Sequence, residues 1–329
     1  MSSAARSRQP GVSLRGPEGR NVISNLTESE VRAFFQQVAG WHLVFKEVDV
    51  RIGYNLPLPI EDFEEKDRGI DFLFSVFNPF VGRKEGILVE TKHVKAKRTL
   101  YARRLQEYVD TLKWKLDGIR TSSSFQHDPD VLAHIDGTVD YGMLVLRFRQ
   151  FDREHFYRLC SQVDTSLHRG SDIPVIAVLS NDRMSAFIEL RGRAGDGTLE
   201  FYYPRYLSNP KPRYIPCLSL SYMLSDWVLG AIRLGKERQK FILSFDEPSP
   251  EFFNLLYEIY QEFKDDNLFP GIDEIFFVNA DYESKSLYEQ RLKNSPISEI
   301  GTPRIVILRQ DLNMSYDIAE ELQWRDTDI

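Results

Sequence analysis

After Thr27-Glu28-Ser29-Glu30, a capping-box sequence, Val31, Phe34, Phe35 and Val38 recur at helical spacing as far as Gly40, which predicts a first amphipathic helix. Trp41 to Val50 reads as a strand, and the polar, Pro-containing stretch from Leu56 to Arg68 as a loop. Two apolar runs follow, Gly69 to Phe77 and Gly86 to Val94, joined through Asn78-Pro79 and Gly82, and they predict a hairpin. From Arg98 to Ile119, Leu100, Tyr101, Leu105, Tyr108, Val109, Leu112 and Leu116 recur at three and four residues, the pattern of a long helix. Tyr141 to Arg149 and Ile173 to Leu179 read as buried strands. Met184 to Arg191 and Thr198 to Tyr203 flank Gly195-Asp196-Gly197 and read as a second hairpin. The longest apolar stretch, Leu218 to Gly235, contains Asp226, Arg233 and serines, so it predicts a core helix and not a membrane span. Beyond Gly235 the order becomes strand (Lys240 to Phe245), helix (Pro250 to Phe263), strand (Glu274 to Asn279), helix (Tyr282 to Leu292) and strand (Arg304 to Leu308), which predicts a small parallel α/β unit.

With 329 residues, and about 100 to 200 per domain, two domains are expected. The division falls into a disordered tail (1–20), a larger domain (21–235) and the smaller α/β unit (236–329). The tail carries Arg6, Arg8, Arg15 and Arg20 but no apolar block, so it does not read as a secretory signal. Cys160 and Cys217 are the two cysteines; the absence of a Cys-x-x-Cys or His/Cys cluster argues against a disulfide framework and a structural zinc site, and a reducing cytoplasm fits. The net charge of -7 is unevenly spread. Residues 236–329 hold 10 Lys/Arg against 20 Asp/Glu, whereas residues 92–120 hold nine Lys/Arg against Glu107, Asp110 and Asp117.

An acidic residue two positions before a lysine occurs four times, so the spacing alone carries nothing. Context separates Glu90 and Lys92: Glu90 interrupts the apolar run Ile87-Leu88-Val89, and the period of two puts Lys92 on its face. Burying such a pair costs several kcal/mol, roughly, unless each finds a partner. Asp71, a lone acid in Gly69-Ile70-Asp71-Phe72-Leu73-Phe74, is brought near Glu90 by hairpin pairing. Two adjacent carboxylates call for a proton or a cation between them, and Mg²⁺ fits, with Mn²⁺ as a substitute. Two acids, a metal ion and a lysine would support hydrolysis of a phosphodiester.

Gly69-Ile70-Asp71, an 18-residue interval and Glu90-Thr91-Lys92, set between a helix-strand unit and a long helix, resemble the core of the PD-(D/E)XK nuclease superfamily over about residues 22 to 180. The resemblance implies a restriction-endonuclease-like α/β core of helix, mixed sheet and helix. It implies Asp71 and Glu90 as metal ligands, Thr91 as a further ligand through its carbonyl, and Lys92 as the residue serving the hydrolytic water. Ile70 stands where the family usually has proline. A glutamate on the first helix near the metal would be Glu30 or Glu28, and a glutamine on the helix after the lysine would be Gln106. Glu30 is equally explained by the capping box, and Gln106 by an exposed helix face.

Lys95, Lys97, Arg98, Arg103 and Arg104 gather at the start of the long helix, where cations and helix dipole act together on a phosphate backbone. The expected function is therefore a metal-dependent nuclease acting on DNA or RNA, DNA favoured, as effector of a prokaryotic defence or DNA-processing system. Residues 236–329 are expected to dock a protein partner or a second copy. The alternative is an inactive nuclease-fold module that binds nucleic acid or scaffolds a complex. No phosphate-binding glycine loop and no Gly-x-Ser-x-Gly elbow is present, so nucleotide hydrolysis and acyl transfer lack support.

Overall fold

Parallel strands cannot be joined by tight turns, and this requirement shapes the first half of the chain. In the computed structural model, which describes residues 27–50, 68–94, 100–137, 139–166, 175–204, 213–263 and 271–308, five strands form one sheet in sequence order. They are β1 (His42–Val50), β2 (Arg68–Asn78), β3 (Arg83–Val94), β4 (Val139–Phe148) and β5 (Ile176–Leu179). β1, β2 and β3 pair antiparallel, and β3, β4 and β5 parallel. The β3 to β4 crossover is α2 (Ala102–Thr121) with two short helices, α3 (Ser123–Gln126) and α4 (Pro129–His134); α5 (Arg153–Cys160) connects β4 to β5. A first helix, α1 (residues 27–33), passes into a π turn at Phe34–Val38. Helix, mixed sheet and helix thus stand as the sequence predicts.

The second sheet has six strands in the order β11-β10-β9-β8-β6-β7. After α6 (Asn181–Ala194) come β6 (Thr198–Tyr203), β7 (Arg213–Ile215), α7 (Leu220–Leu224), β8 (Trp227–Leu234) and β9 (Glu237–Ser244). Then α8 (Pro250–Phe263), β10 (Glu274–Phe277), α9 (Lys285–Lys293) and β11 (Arg304–Ile307) complete it, with β9, β10 and β11 parallel as the alternation predicts.

The apolar residues sort these elements into five layers. Leu105, Val109, Leu112 and Leu116 of α2 pack on Leu73, Leu88, Leu144 and Leu146 of the first sheet. The other face of that sheet, through Phe72, Phe74, Val89 and Val145, meets Phe34, Phe35 and Val38 together with Met184, Phe187 and Leu190 of α6. The same core continues into Phe201, Val228, Phe241 and Phe276 of the second sheet. On the far side of that sheet, Ile242, Ile275, Phe277 and Ile305 bury Phe252, Phe253 and Leu256 of α8 and Leu292 of α9.

This arrangement corrects three expectations. Residues 184–191 lie in helix α6 and form no hairpin strand: Met184, Ala186, Phe187 and Leu190 are all buried because α6 has a sheet on both sides, which erases an amphipathic stripe. Leu218 to Gly235 is no core helix but the short α7 followed by β8, a strand paired on both edges by β6 and β9. A strand buried on both faces reads as a continuous apolar run and loses its alternation. The division at 235/236 falls inside the turn of the β8–β9 hairpin, so residues before and after it share one sheet. The tail at 1–20 lies outside the described residues. Among the described residues, no helix is long and apolar enough to cross a membrane.

The end of the first helix is tied, across Gly40, to the segment between β7 and α7. Trp41 Nε1 donates to Leu218 O at 2.6 Å, and Leu218 N donates to Ala39 O at 2.9 Å. Gly40 has φ 72°, and a Cβ there would lie 2.4 Å from Pro216 O. Gly40→Ala is therefore expected to cost on the order of 1 to 3 kcal/mol, read as a lower midpoint in chemical denaturation. An unchanged midpoint would show that the 216–218 segment yields freely.

Candidate active site

The β2–β3 ladder runs from Asn78↔Arg83 to Phe72↔Val89 and stops there, while β2 goes on pairing with β1 to Arg68. The two strands part at the point where register places Asp71 opposite Glu90. Side-chain alternation then puts Glu90 and Lys92 on the α2 side of the sheet, next to Leu144 and Leu146 of β4.

Glu90 is buried, with 4% exposure, and each of its oxygens meets a lysine. Lys92 Nζ donates to Oε2 at 3.2 Å. Lys115 Nζ, from α2, donates to Oε1 and also to Gly69 O at 2.6 Å. Asp71 is half-buried, and its Oδ2 accepts from Thr91 N at 2.7 Å and Thr91 Oγ1 at 2.9 Å. Burial pulls the Lys92 pKa down, but the Glu90 and Asp71 carboxylates, with Tyr108 adding, outweigh it, and the net shift is upward. Lys92 is therefore an ammonium at neutral pH, with three donors and no lone pair.

Two roles are not legible in the sequence. Thr91, expected to act through its carbonyl, holds Asp71 with its N–H and hydroxyl. In the sequence Lys115 is one of nine basic residues of 92–120. Its signal was position: it is a lysine in the buried stripe that carries Leu112, Leu116 and Ile119.

Other expected site residues have partners elsewhere. The Glu30 carboxylate takes Arg147 Nη2 at 2.8 Å and Nε at 3.3 Å. Arg147, buried on β4 and in register with His93, belongs with Met143 and Val145 to the side of the sheet facing α1 and α6, opposite Glu90 and Lys92. Gln106 Nε2 donates to Asp110 Oδ1 at 2.8 Å and to Asp164 O at 3.1 Å, and its Oε1 accepts from Asp164 N at 2.8 Å. It thereby anchors the loop after α5. Arg103 is exposed and pairs with Glu107 at 3.3 Å; Arg104 Nε donates to Tyr108 OH at 2.9 Å. Lys95, Lys97 and Arg98 lie outside the described residues.

Two oxygen-rich strand positions that part from each other suit a hard cation. Asp71 and Glu90 are carboxylates, and Mg²⁺ is ordinarily held by one or two carboxylates plus water and phosphate oxygens. Among the described residues no group of three or more His, Cys, Asp or Glu converges on one point, so substrate and water would supply the other ligands. A thiol nucleophile has no support from Cys160. Burial, then the Asp182 charge, pushes its pKa up to about 12, which keeps it protonated.

A family profile described as the GAPS4 protein PD-(D/E)XK nuclease domain matches residues 17–183. This span begins before α1 and ends just inside α6, enclosing the whole first sheet. Comparisons with curated proteins and with solved structures give no match.

Proposed function

We propose that this chain, which belongs to the GAPS4 protein PD-(D/E)XK nuclease domain family, hydrolyses DNA phosphodiesters with a divalent metal ion. The observation that carries this reading is the parting of β2 and β3 after Phe72↔Val89, which leaves Asp71, Glu90 and Lys92 at one opening of the sheet. Asp71 and Glu90 would hold the ion, with Mg²⁺ favoured and Mn²⁺ as a substitute. Bound there, such an ion supplies a water of lowered pKa and positive charge against the phosphate oxygens. Thr91 keeps Asp71 aimed into the opening. Lys92 donates hydrogen bonds, so its part is to orient the attacking water and to neutralise charge gathering on the phosphate. The water oxygen bonds to phosphorus as its proton passes to solvent, and the bond from phosphorus to the leaving sugar oxygen breaks, that oxygen taking a proton from solvent.

Arg103 and Arg104, at the start of α2, are suited to the nucleic-acid backbone, together with Lys95, Lys97 and Arg98. The resemblance to a superfamily rich in restriction, repair and defence nucleases supports an effector role in prokaryotic defence or DNA processing. The acidic excess of residues 236–329 supports activation by a protein partner or a second copy, because the free chain, at net charge -7, is repelled by polyanions.

The test is a cleavage assay on circular and linear duplex DNA, single-stranded DNA and RNA, with Mg²⁺, with Mn²⁺ and with EDTA, with and without the candidate activator. DNA should be cut in either metal and left intact in EDTA. Cleavage that persists in EDTA would overturn the metal reading, and cleavage confined to RNA would overturn the substrate.

A further inference from the structure

We infer that Lys115 is a built-in cation that holds the carboxylate-bearing strands together and weakens metal binding until substrate arrives. The inference rests on the active-site reading above. Lys115 joins Gly69 O on β2 to Glu90 on β3, bridging the strands where their ladder ends. It is 6% exposed and belongs to the buried stripe of α2 between Leu112 and Leu116. Lys92 differs: its side chain is 36% exposed, on the open side of Glu90. An ion approaching Glu90 can displace Lys92 from Oε2 and leave it in the opening, beside the water and phosphate it serves, whereas Lys115 is pinned by the helix.

The charges then decide the outcome. Among these four residues, the two formal negative charges of Asp71 and Glu90 are matched by the two positive charges of Lys92 and Lys115. A divalent ion joining Glu90 meets a fixed ammonium on the other oxygen of the same carboxylate. Glu90 and Lys115 are 4% and 6% exposed, so screening between them and an ion on the same carboxylate is poor and the repulsion is strong. A phosphodiester brings negative charge that offsets this excess. Metal and nucleic acid must therefore strengthen each other's binding, and by equal factors. Shared phosphate ligands would couple the two in any case; what an ordinary structural ion pair does not predict is a gain in metal affinity when Lys115 loses its charge.

The experiment measures Mn²⁺ affinity of the full-length protein by the free-ion electron paramagnetic resonance signal, alone and with a phosphorothioate-blocked DNA duplex. For the wild type, the duplex should tighten Mn²⁺ binding by about tenfold or more, which corresponds to a modest free-energy coupling. Lys115→Met, without duplex, should bind Mn²⁺ about tenfold more tightly than wild type, and Lys115→Arg, which keeps the charge, should bind like wild type. Lys115→Gln keeps a donor toward Gly69 O without the charge and serves in place of Lys115→Met if that variant does not fold. Equal or weaker Mn²⁺ binding by a folded, uncharged variant would overturn the inference. So would a wild-type affinity unmoved by duplex, a reading that needs no variant. Asp71→Asn separates the two claims. If it leaves Mn²⁺ binding unchanged, the active-site reading fails; if it abolishes binding while Lys115→Met does not tighten it, only the role of Lys115 falls.

Discussion

Ending the chain at Gly235 is expected to yield insoluble protein with no cooperative melting transition. The division expected at 235/236 would leave the larger domain intact. Yet β8 pairs with β9 along its whole length, from Trp227↔Ser244 to Leu234↔Glu237, and the cut removes β9, β10 and β11 from one sheet. Phe241, Leu243, Phe245, Phe276 and Val278 leave the core they share with α6, and Phe201, Val228 and Ile232 lose their cover. Each large apolar side chain is worth about 1.5 to 3 kcal/mol on burial, so the loss rivals the roughly 5 to 15 kcal/mol of a whole native state. The bared edge of β8 is also a template for aggregation. Solubility and a circular-dichroism melt of residues 1–235 check this, and a soluble fragment that unfolds cooperatively would refute it. A partner role for residues 236–329 is therefore better tested by charge reversal on exposed positions such as Glu251 and Glu258 of α8 than by deletion.

Lys92→Ala is expected to slow cleavage by about 10² to 10³-fold, the scale of losing one preorganised donor to a developing charge. Its fold should survive, because Glu90 keeps Lys115 when Lys92 is removed. Asp71→Asn should abolish metal-dependent cleavage and still fold, since an amide oxygen can accept from Thr91 as the carboxylate does. Glu90→Ala behaves differently. It strands the buried Lys115 ammonium with Gly69 O as its remaining described partner, and such an orphaned charge costs about 3 to 5 kcal/mol. Lost activity in that variant would therefore mix chemistry with unfolding. Rates under saturating Mg²⁺, paired with melting temperatures, separate the cases; full cleavage by Lys92→Ala would remove the mechanism.

The sequence by itself determined what depends on near neighbours. The β2–β3 hairpin follows from its two apolar runs and the turn at Asn78 to Gly82, and α2 follows from its three- and four-residue periodicity. Asp71, Glu90 and Lys92 stood out because a charge in a strand-like apolar run is anomalous at any register. The β9–α8–β10–α9–β11 alternation was legible for the same reason: each helix there covers one sheet face and keeps one face wet. Tertiary structure alone decided the rest. Helix α6 and strand β8 are covered on both sides, so neither shows the period that would have distinguished helix from strand. Glu30 was drawn to Arg147, 117 residues away, and Glu90 to Lys115 on a helix 25 residues on. A charge's partner is whatever folding brings into its dry surroundings, and the spacing of residues along a chain carries no record of that.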